Sequence, residues 1–421
     1  MGRRSFLRRL SALAVPSPLI GYAAPDSTSA DDSAFRGQPL SPWRPGHLDI
    51  HHIATGRGDS SLIIAPDGTS IMVDAGAIYA GGPFNLDSKP SEARRPGEWI
   101  ARYAKRRLAE IGAEGLDYLV VTHLHPDHVG DIGPSLPKAS DGDYLLTGVS
   151  DVASLLPIGL VLDRGAPGYE EVDIRSAAFA QNYLKFIRAR ELSGRRVERL
   201  RAGSREQIHL TRGGATSSFE MRTLAVNGEV WTGRGQECRR LFPLRERLRS
   251  EDVPDENAYS AAFRLKYGAF SYFIAGDLTS NTLDGDLPWR DVETEAARVC
   301  GPVDVAVAAH HGLFDSSGAD VVRALRPRVW LIDAWHVSHP SLQTLERLFS
   351  QRLYPGPREV FATGLAEAND LVNNRLTRRL SSRAGHVVVR VSPGGTRYQV
   401  IVTDNSNELD RVTGVFGPYS G

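Results

Sequence analysis

The stretch that decides the fold is Val120-Val121-Thr122-His123-Leu124-His125-Pro126-Asp127-His128-Val129-Gly130, which holds three histidines and an aspartate within six residues. The run that leads into it, from Leu116 to Val121, is short, apolar and partly β-branched, and this pattern predicts a buried strand. Pro126 and Gly130 disfavour a helix, so we expect the strand to end in a loop that presents the polar side chains. Imidazole and carboxylate groups at this density are typical of a metal site.

The spacing of these four side chains predicts how they divide between ions. His123 and His125 lie two residues apart at the end of the strand, so both can face one ion. Asp127 and His128 follow the turn and are predicted to face a second ion close by. Two ions with a water between them generate a nucleophile, so a hydrolase is the first hypothesis. A polar loop with incidental histidines is the alternative, and the density of the cluster disfavours it.

The loop resembles the HxHxDH signature of the metallo-β-lactamase superfamily, and later parts of the chain agree with that resemblance in order. Asp74 ends an early apolar run, Asp277 follows Gly276 after another, and a further run leads into His310-His311-Gly312. The resemblance implies an α/β fold, an αββα sandwich of two mixed β-sheets flanked by helices.

Within that superfamily, the chain most resembles the metallo-hydrolase domain of ComEC-type DNA-uptake proteins. The segments that carry this likeness are Ile53 to Ser60, Asn257-Ala258-Tyr259-Ser260, His310-His311-Gly312 and Ser338-His339-Pro340. The likeness covers roughly residues 47–405. It does not determine the substrate, because one fold hosts many reactions.

The resemblance also implies a role for each matching residue. The predicted metal ligands are His123 and His125 for the first ion, Asp127, His128 and His310 for the second, and Asp277 between them. His311 is the alternative to His310, while Asp74 is predicted to fix a histidine tautomer from behind the ligands. Asn257 is predicted to line the pocket. The expected cofactor is zinc, as one or two ions, and manganese or iron stays open because of the carboxylates.

Two residues are assigned to catalysis itself. Asp127 is one, through the ion that it holds. His339 is the other, as a substrate ligand or proton donor, although a structural role is an equal alternative.

One feature of the superfamily is missing from this chain. Many members place a further metal histidine between the loop and the bridging aspartate, but here the only histidine between His128 and Asp277 is His209. Its alternating surroundings predict a strand, so we interpret His209 as structural. The first site therefore binds its ion more weakly, leaves a position open for water or substrate, or recruits His339 or Asn227. The sequence does not choose among these.

The amino terminus carries an export signal. Arg3-Arg4-Ser5-Phe6-Leu7-Arg8 resembles the twin-arginine motif, and it precedes an apolar stretch from Leu10 to Ile20 and small residues up to Ala24. We predict a signal peptide over residues 1–24 and a periplasmic or secreted protein; a basic surface helix is the alternative. Residues 25–46 are rich in Asp, Ser, Pro and Gly, which predicts a flexible leader.

The remaining chain is predicted to form one hydrolase domain over residues 47–405, with an insertion at about 131–206 and a tail at 406–421. The expected strands are 47–53, 61–65, 70–74, 116–122, 158–163, 328–333, 358–362, 385–391 and 397–403, with hairpins at 207–225 and 260–276. The expected helices are 97–111, 176–191, 319–325 and 341–349.

Composition limits the class of partner. Fifty basic and fifty acidic residues cancel, so the charge does not indicate a nucleic acid, although it leaves one open. No run reaches the roughly eighteen apolar residues of a membrane span. The sequence therefore predicts an exported hydrolase that uses a metal-bound hydroxide on a small-molecule or phosphoester substrate, with a phosphoester or phosphodiester as the leading class. Ester, lactone or β-lactam hydrolysis is the first alternative, and a non-catalytic metal- or ligand-binding envelope protein is the second.

Overall fold

A computed structural model describes residues 35–79, 82–169, 173–213 and 218–421. The predicted signal peptide and residues 25–34 of the predicted leader lie outside the described residues. Within the described part, two β-sheets pack face to face and helices cover their outer faces.

The strands, in chain order, are β1 (Leu48–His52), β2 (Ser61–Ile64), β3 (Ser70–Val73), β4 (Leu116–Val120), β5 (Ile158–Asp163), β6 (Arg196–Arg199), β7 (Phe219–Val226), β8 (Glu229–Trp231), β9 (Cys238–Arg240), β10 (Ala262–Tyr267), β11 (Phe270–Ile274), β12 (Val305–Val307), β13 (Val329–Ile332), β14 (Glu359–Ala362), β15 (His386–Val391), β16 (Arg397–Thr403) and β17 (Val412–Ser420). The helices are α1 (Pro96–Glu110), α2 (Pro126–Val129), α3 (Val149–Leu155), α4 (Ala178–Leu192), α5 (Val292–Cys300), α6 (Ala319–Leu325), α7 (Leu342–Leu348) and α8 (Glu367–Thr377).

Both sheets are mixed. The described residues form a nine-stranded sheet in the order β17-β16-β15-β1-β2-β3-β4-β5-β6 and an eight-stranded sheet in the order β14-β13-β12-β11-β10-β7-β8-β9. β3, β4, β5 and β6 run parallel in the first sheet, and β11, β12, β13 and β14 run parallel in the second. The predicted αββα sandwich of two mixed sheets is confirmed.

The core consists of a layer between the sheets and further layers beneath the helices. In β13, Val329 and Leu331 enter the layer between the sheets, whereas Trp330 and Ile332 pack beneath the helices. Side chains of a strand alternate between its two faces, so a strand covered on both faces is apolar throughout. This is why short continuous apolar runs in the sequence mark the central strands.

Most of the predicted elements form where the sequence places them. The strand at 158–163 and the helix at 319–325 agree to the residue, and the helix expected at 341–349 begins after Ser341, whose side chain accepts from the Thr344 amide. The strand predicted around His209 is wrong, because residues 207–210 have no strand pairing. The predicted insertion contributes β5 and β6 to the first sheet, so much of it belongs to the sandwich.

The folded part extends beyond both predicted limits. β17 lies within the predicted tail and pairs with β16. From the predicted leader, Leu40 and Trp43 are buried, and the Leu40 amide donates to the carbonyl of Asp410. These apolar side chains lie among polar neighbours that suggested a loop, and the contacts that bury them come from the distant carboxyl-terminal end. Among the described residues, no helix combines the length and apolar composition that crossing a bilayer requires.

Phe263→Ala tests the layer between the sheets. Phe263 is fully buried there, so its loss removes apolar contacts and leaves a cavity. We expect the free energy of unfolding to fall by about 3–5 kcal/mol in urea denaturation. Leu371→Ala is the matched control, because Leu371 is 75% exposed. Equal stability of the two variants would contradict this account of the core.

Candidate metal centre

The candidate centre lies where the loops after β3, β4, β11 and β12 meet. The carboxyl ends of parallel strands share one edge of a sheet, and the loops there converge. Asp74 follows β3, the His123–His128 loop follows β4, Asp277 follows β11, and His310 with His311 follows β12. Side chains far apart in the chain therefore come within a few ångströms of one another.

Asp277 is the centre of the cluster. Its Oδ1 lies 3.2 Å from His128 Nε2, and its Oδ2 lies 3.3 Å from His311 Nε2 and 3.7 Å from His123 Nε2. His310 Nε2 is 3.9 Å from the same Oδ2. Four imidazoles thus face the carboxylate of Asp277. Asp277 therefore lies where a ligand that bridges two ions is expected.

The surrounding groups divide into two sets that share Asp277. The first contains His123 and His125, and the second contains Asp59, His128 and His311; within each set, including Asp277, the potential ligand atoms lie within 4.8 Å of one another.

Asp127 belongs beside the second set, because its Oδ2 lies 2.9 Å from His311 Nε2 and 3.7 Å from His128 Nε2. The sequence assigned His310 to this second position, with His311 as the alternative. The structure places His311 there.

Carboxylates behind the histidines fix their tautomers. Asp74 accepts from His128 Nδ1 at 2.8 Å, and Asp59 accepts from His311 Nδ1 at 3.0 Å. A neutral ring that donates through Nδ1 presents an unprotonated Nε2, the atom that binds a metal. Asp74 also accepts from the amide and hydroxyl of Thr122, so it holds the start of the loop as well. The structure therefore brings Asp74 to the position predicted for it.

The electrostatics of the cluster suit a cation. Burial would raise the pKa of the Asp277 carboxyl, but His311 and His128 hold it well below its usual range. Burial would lower the pKa of His128, yet Asp277, Asp127 and Asp74 raise it well above its usual value. This much buried negative charge requires positive charge, from imidazolium groups or from a metal ion.

Unpartnered atoms give a second indication. His128 Nε2 and Asp277 Oδ1 are buried 3.2 Å apart, but among the described residues neither atom makes a hydrogen bond of suitable geometry. Buried polar atoms of this kind require an explanation, and a shared metal ion supplies one. The residues present therefore fit a metal ion.

His339 and Trp335 line one side of the second set. The His339 ring stacks on His311 with centroids 4.6 Å apart, and the Trp335 ring lies 5.6 Å from His311. Burial and the neighbouring His311 hold the pKa of His339 well below its usual value. His339 is therefore a neutral imidazole at pH 7, which suits a hydrogen bond to substrate better than the predicted role of proton donor.

The proposed replacements for the missing histidine lie elsewhere or have other partners. The amide of Asn227 is bonded to Arg164, since Oδ1 accepts from Nη1 at 3.0 Å and Nδ2 donates to the carbonyl at 2.8 Å. His339 lies against the second set rather than the first. His209 contacts the Glu206 carbonyl and Tyr118, as a structural side chain would.

Sequence reasoning missed the part that Asp59 plays. The residue lies in Ile53 to Ser60, a segment that carried the likeness to ComEC-type domains, but its carboxylate was given no role. Burial raises its pKa to about 7, while His311 opposes that effect. The signal that could have found it is a carboxylate just before β2, close to β3 and β4 in the same sheet.

The comparisons with known proteins agree with this geometry. Residues 54–141, which include the β4 loop, match the metallo-beta-lactamase superfamily. The fold is that of the metallo-beta-lactamases. No curated protein sequence matches the chain significantly.

Three solved structures are similar to parts of the chain at low identity. Human tRNase Z, short form, is 12% identical with a TM-score of 0.30, and the match covers 67% of this chain and 91% of that one. The HARLDQ motif mutant S60 of a Cronobacter sakazakii metallo-beta-lactamase is 13% identical with a TM-score of 0.32, covering 68% and 82%. A long form RNase Z from yeast is 12% identical with a TM-score of 0.35, covering 77% and 42%.

Backbone contacts at Gly76 hold the His123–His128 loop in position. The Gly76 amide donates to the Asp59 carbonyl, and the Asp59 amide donates to the Asp127 carbonyl, both at 2.8 Å. A Cβ on Gly76 would lie 1.8 Å from the Asp127 carbonyl oxygen. The loop can therefore adopt this position only with glycine at residue 76.

Gly76→Ala tests this contact without removing a ligand. The methyl group displaces Asp127, so we expect zinc affinity to fall about 10- to 100-fold, the range seen when groups that orient ligands are changed. Competition with a chromophoric chelator measures the affinity. Gly82→Ala is the control, because a Cβ there meets nothing within 4 Å. Unchanged affinity in Gly76→Ala would show that the loop position does not matter for binding.

Proposed function

We propose that this protein is an exported, metal-dependent hydrolase of phosphoesters, with phosphodiesters as its preferred substrates. The observation that carries the proposal is the sharing of buried Asp277 between His123 with His125 on one side and His128 with His311 on the other. When bound, two adjacent divalent ions lower the pKa of water and neutralise the charge on the attacking and leaving oxygens of an in-line displacement. Zinc is the proposed metal, since most of the donors are imidazoles.

The side chains of this chain supply orientation and a dry environment. Asp74 and Asp59 keep Nε2 of His128 and His311 directed inward. The side chains of Asp74, His128 and His311 are buried, and that of Asp59 is 18% exposed, so bulk water has little access to the charged groups. Electrostatic attraction is stronger in such surroundings than in water. Neutral His339, on the wall of the site, is proposed to hold a substrate oxygen by a hydrogen bond.

The choice of a phosphoester rests on two arguments. Two ligand sets around one carboxylate suit a reaction in which both the entering and the leaving oxygen carry charge. The likeness of Asn257-Ala258-Tyr259-Ser260 and Ser338-His339-Pro340 to ComEC-type domains points the same way. Esters, lactones and β-lactams are the competing substrates, because a tetrahedral intermediate at carbon also develops charge on oxygen.

His128→Ala tests the proposed activity. We expect the zinc-loaded full-length protein to hydrolyse a chromogenic phosphodiester faster than a lactone or a chromogenic β-lactam. We expect His128→Ala to lower kcat/KM for the diester by at least about 100-fold, because it removes a ligand on which the charge stabilisation depends. Initial rates across the three substrates give the ranking.

His209→Ala is the matched control, since that imidazole is exposed and bonded to Glu206. Faster lactone or β-lactam turnover would replace the phosphoester assignment. Two bound zinc ions without turnover of any substrate would favour the non-catalytic binding protein.

The proposed export depends on Arg3 and Arg4. We expect replacement of both by lysine to retain the protein inside a bacterium with a twin-arginine pathway, because that pathway reads the arginine pair. Immunoblots of the periplasmic and cytoplasmic fractions measure the distribution. Arg8→Lys with Arg9→Lys is the control, since it keeps the positive charge and leaves Arg3 and Arg4 in place. Periplasmic accumulation of the Arg3, Arg4 double variant would exclude this route.

A further inference from the structure

We propose that His310 is the third histidine of the first ion site and supplies the ligand that the chain lacks between His128 and Asp277. The inference rests on the proposed metal-dependent function and deepens it. The question is which ion His310 binds and which ion His311 binds, and the sequence leaves it open.

His310 is oriented as a metal ligand. Its Nδ1 lies 2.9 Å from Asp315 Oδ1, a contact that in the neutral ring places the proton on Nδ1 and the lone pair on Nε2, and this Nε2 lies 3.9 Å from Asp277 Oδ2. His128 has the same arrangement with Asp74 behind it, and His311 has it with Asp59 behind it. A carboxylate on the far nitrogen is the usual support of a histidine that binds metal.

The number of ligands assigns His310 to the first ion. Because Asp59 contacts His311 Nδ1 from behind, it is not counted as a ligand here, and Asp127, His128, His311 and Asp277 give the second ion the four protein groups of a tetrahedral zinc site. His123, His125 and Asp277 give the first ion three. His310, whose Nε2 lies 3.9 Å from Asp277 Oδ2, would raise the number of ligands of the first ion to four.

Asn257 marks the place where this ion would lie. Its Nδ2 lies 3.2 Å from His310 Nε2, which also lies 3.9 Å from Asp277 Oδ2, and an ion bound between them would take the His310 lone pair that the amide contacts here. Its Oδ1 is buried and, within the described part of the chain, has no hydrogen-bond partner. An acceptor buried without a donor beside an inward-facing imidazole indicates a position for a cation.

The backbone explains how two adjacent residues serve different ions. His310, His311 and Gly312 all have left-handed φ angles, of 49°, 55° and 73°. Two successive non-glycine residues in this region are uncommon and cost conformational energy. The turn directs the two rings apart, with planes 56° from parallel and centroids 5.9 Å apart. His311 Nε2 consequently lies 2.9 Å from Asp127 Oδ2, while His310 Nε2 lies 3.9 Å from Asp277 Oδ2, the oxygen that His123 and His311 also face.

Zinc binding in paired variants of the full-length protein tests this assignment. His128→Ala weakens the second site and leaves the first ion, so we expect it to retain one tight zinc. Adding His310→Ala should then lower the affinity for that remaining ion by at least about 10-fold. In the opposite background, His123→Ala, adding His310→Ala should leave the affinity unchanged. Stoichiometry comes from elemental analysis, and affinity from competition with a chromophoric chelator.

The reverse pattern, with loss only in the His123→Ala background, would overturn the proposal and return His310 to the second ion. No loss in either background would also overturn it. Urea denaturation checks that each variant folds. His310→Gln replaces His310→Ala if the alanine variant does not fold. His209→Ala is the matched control. These readouts do not use turnover, so a protein that binds two ions by this scheme but hydrolyses nothing would refute the proposed function alone.

Asp315→Asn separates a ligand held in place from a structural histidine. An asparagine keeps the size of the side chain but weakens its hold on His310 Nδ1–H. We expect a lower affinity for the first zinc and, in the His128→Ala background with cobalt substituted, a changed visible absorption spectrum. An unchanged spectrum and affinity would show that Asp315 does not act through His310.

Discussion

The burial of the Asp277 carboxylate among four imidazoles is the constraint on which the rest of the site depends. A buried charge is unfavourable unless opposite charge or a metal surrounds it. Here the compensation comes from side chains on two loops, after β4 and after β12, so both loop positions are tied to each other through Asp277. Carboxylates behind the histidines extend the same pattern outward, since Asp74, Asp59 and Asp315 each accept from an Nδ1. The site is therefore one electrostatic unit with alternating signs, built across both sheets.

The fold could be predicted from the sequence to the extent that local pattern determines it. Apolar runs such as Ile158–Asp163 identify central strands because both faces are covered. The edges were harder to predict. β17 carries Gly414, Gly417 and Pro418, which are typical of loops, and it becomes a strand only because β16 offers a pairing edge. Residues 35–46 similarly become ordered through contacts to Asp410 and Val412, which no local pattern reveals.

Some residues of the candidate site could likewise be predicted from the sequence, and others could not. The His123–His128 loop could be recognised because its four polar side chains lie together in the sequence, and Asp277 could be recognised by its place after a strand. Which of His310 and His311 faces which ion could not be predicted, because that depends on the direction of each ring. Three successive left-handed residues set those directions, and adjacent identical side chains give the sequence no means of distinguishing them. Asp59 was missed because a lone aspartate in a loop resembles many solvent-exposed ones.

A buried ion pair connects the metal loop to the rest of the molecule. Glu256 accepts from the amide of Leu124, the residue between His123 and His125, and Arg164 donates to the same carboxylate. Because both charges are buried, neither is stable without the other, and removal of one partner of such a pair typically costs about 3–5 kcal/mol. Asn257, which donates to His310, is the next residue after Glu256. The turn that contains Glu256 and Asn257 therefore contacts both the loop of His123 and His125 and the side chain of His310. Folding energy and ligand geometry at the first site thus come from the same contacts, so a mutation that weakens this ion pair should loosen the metal site before it unfolds the domain.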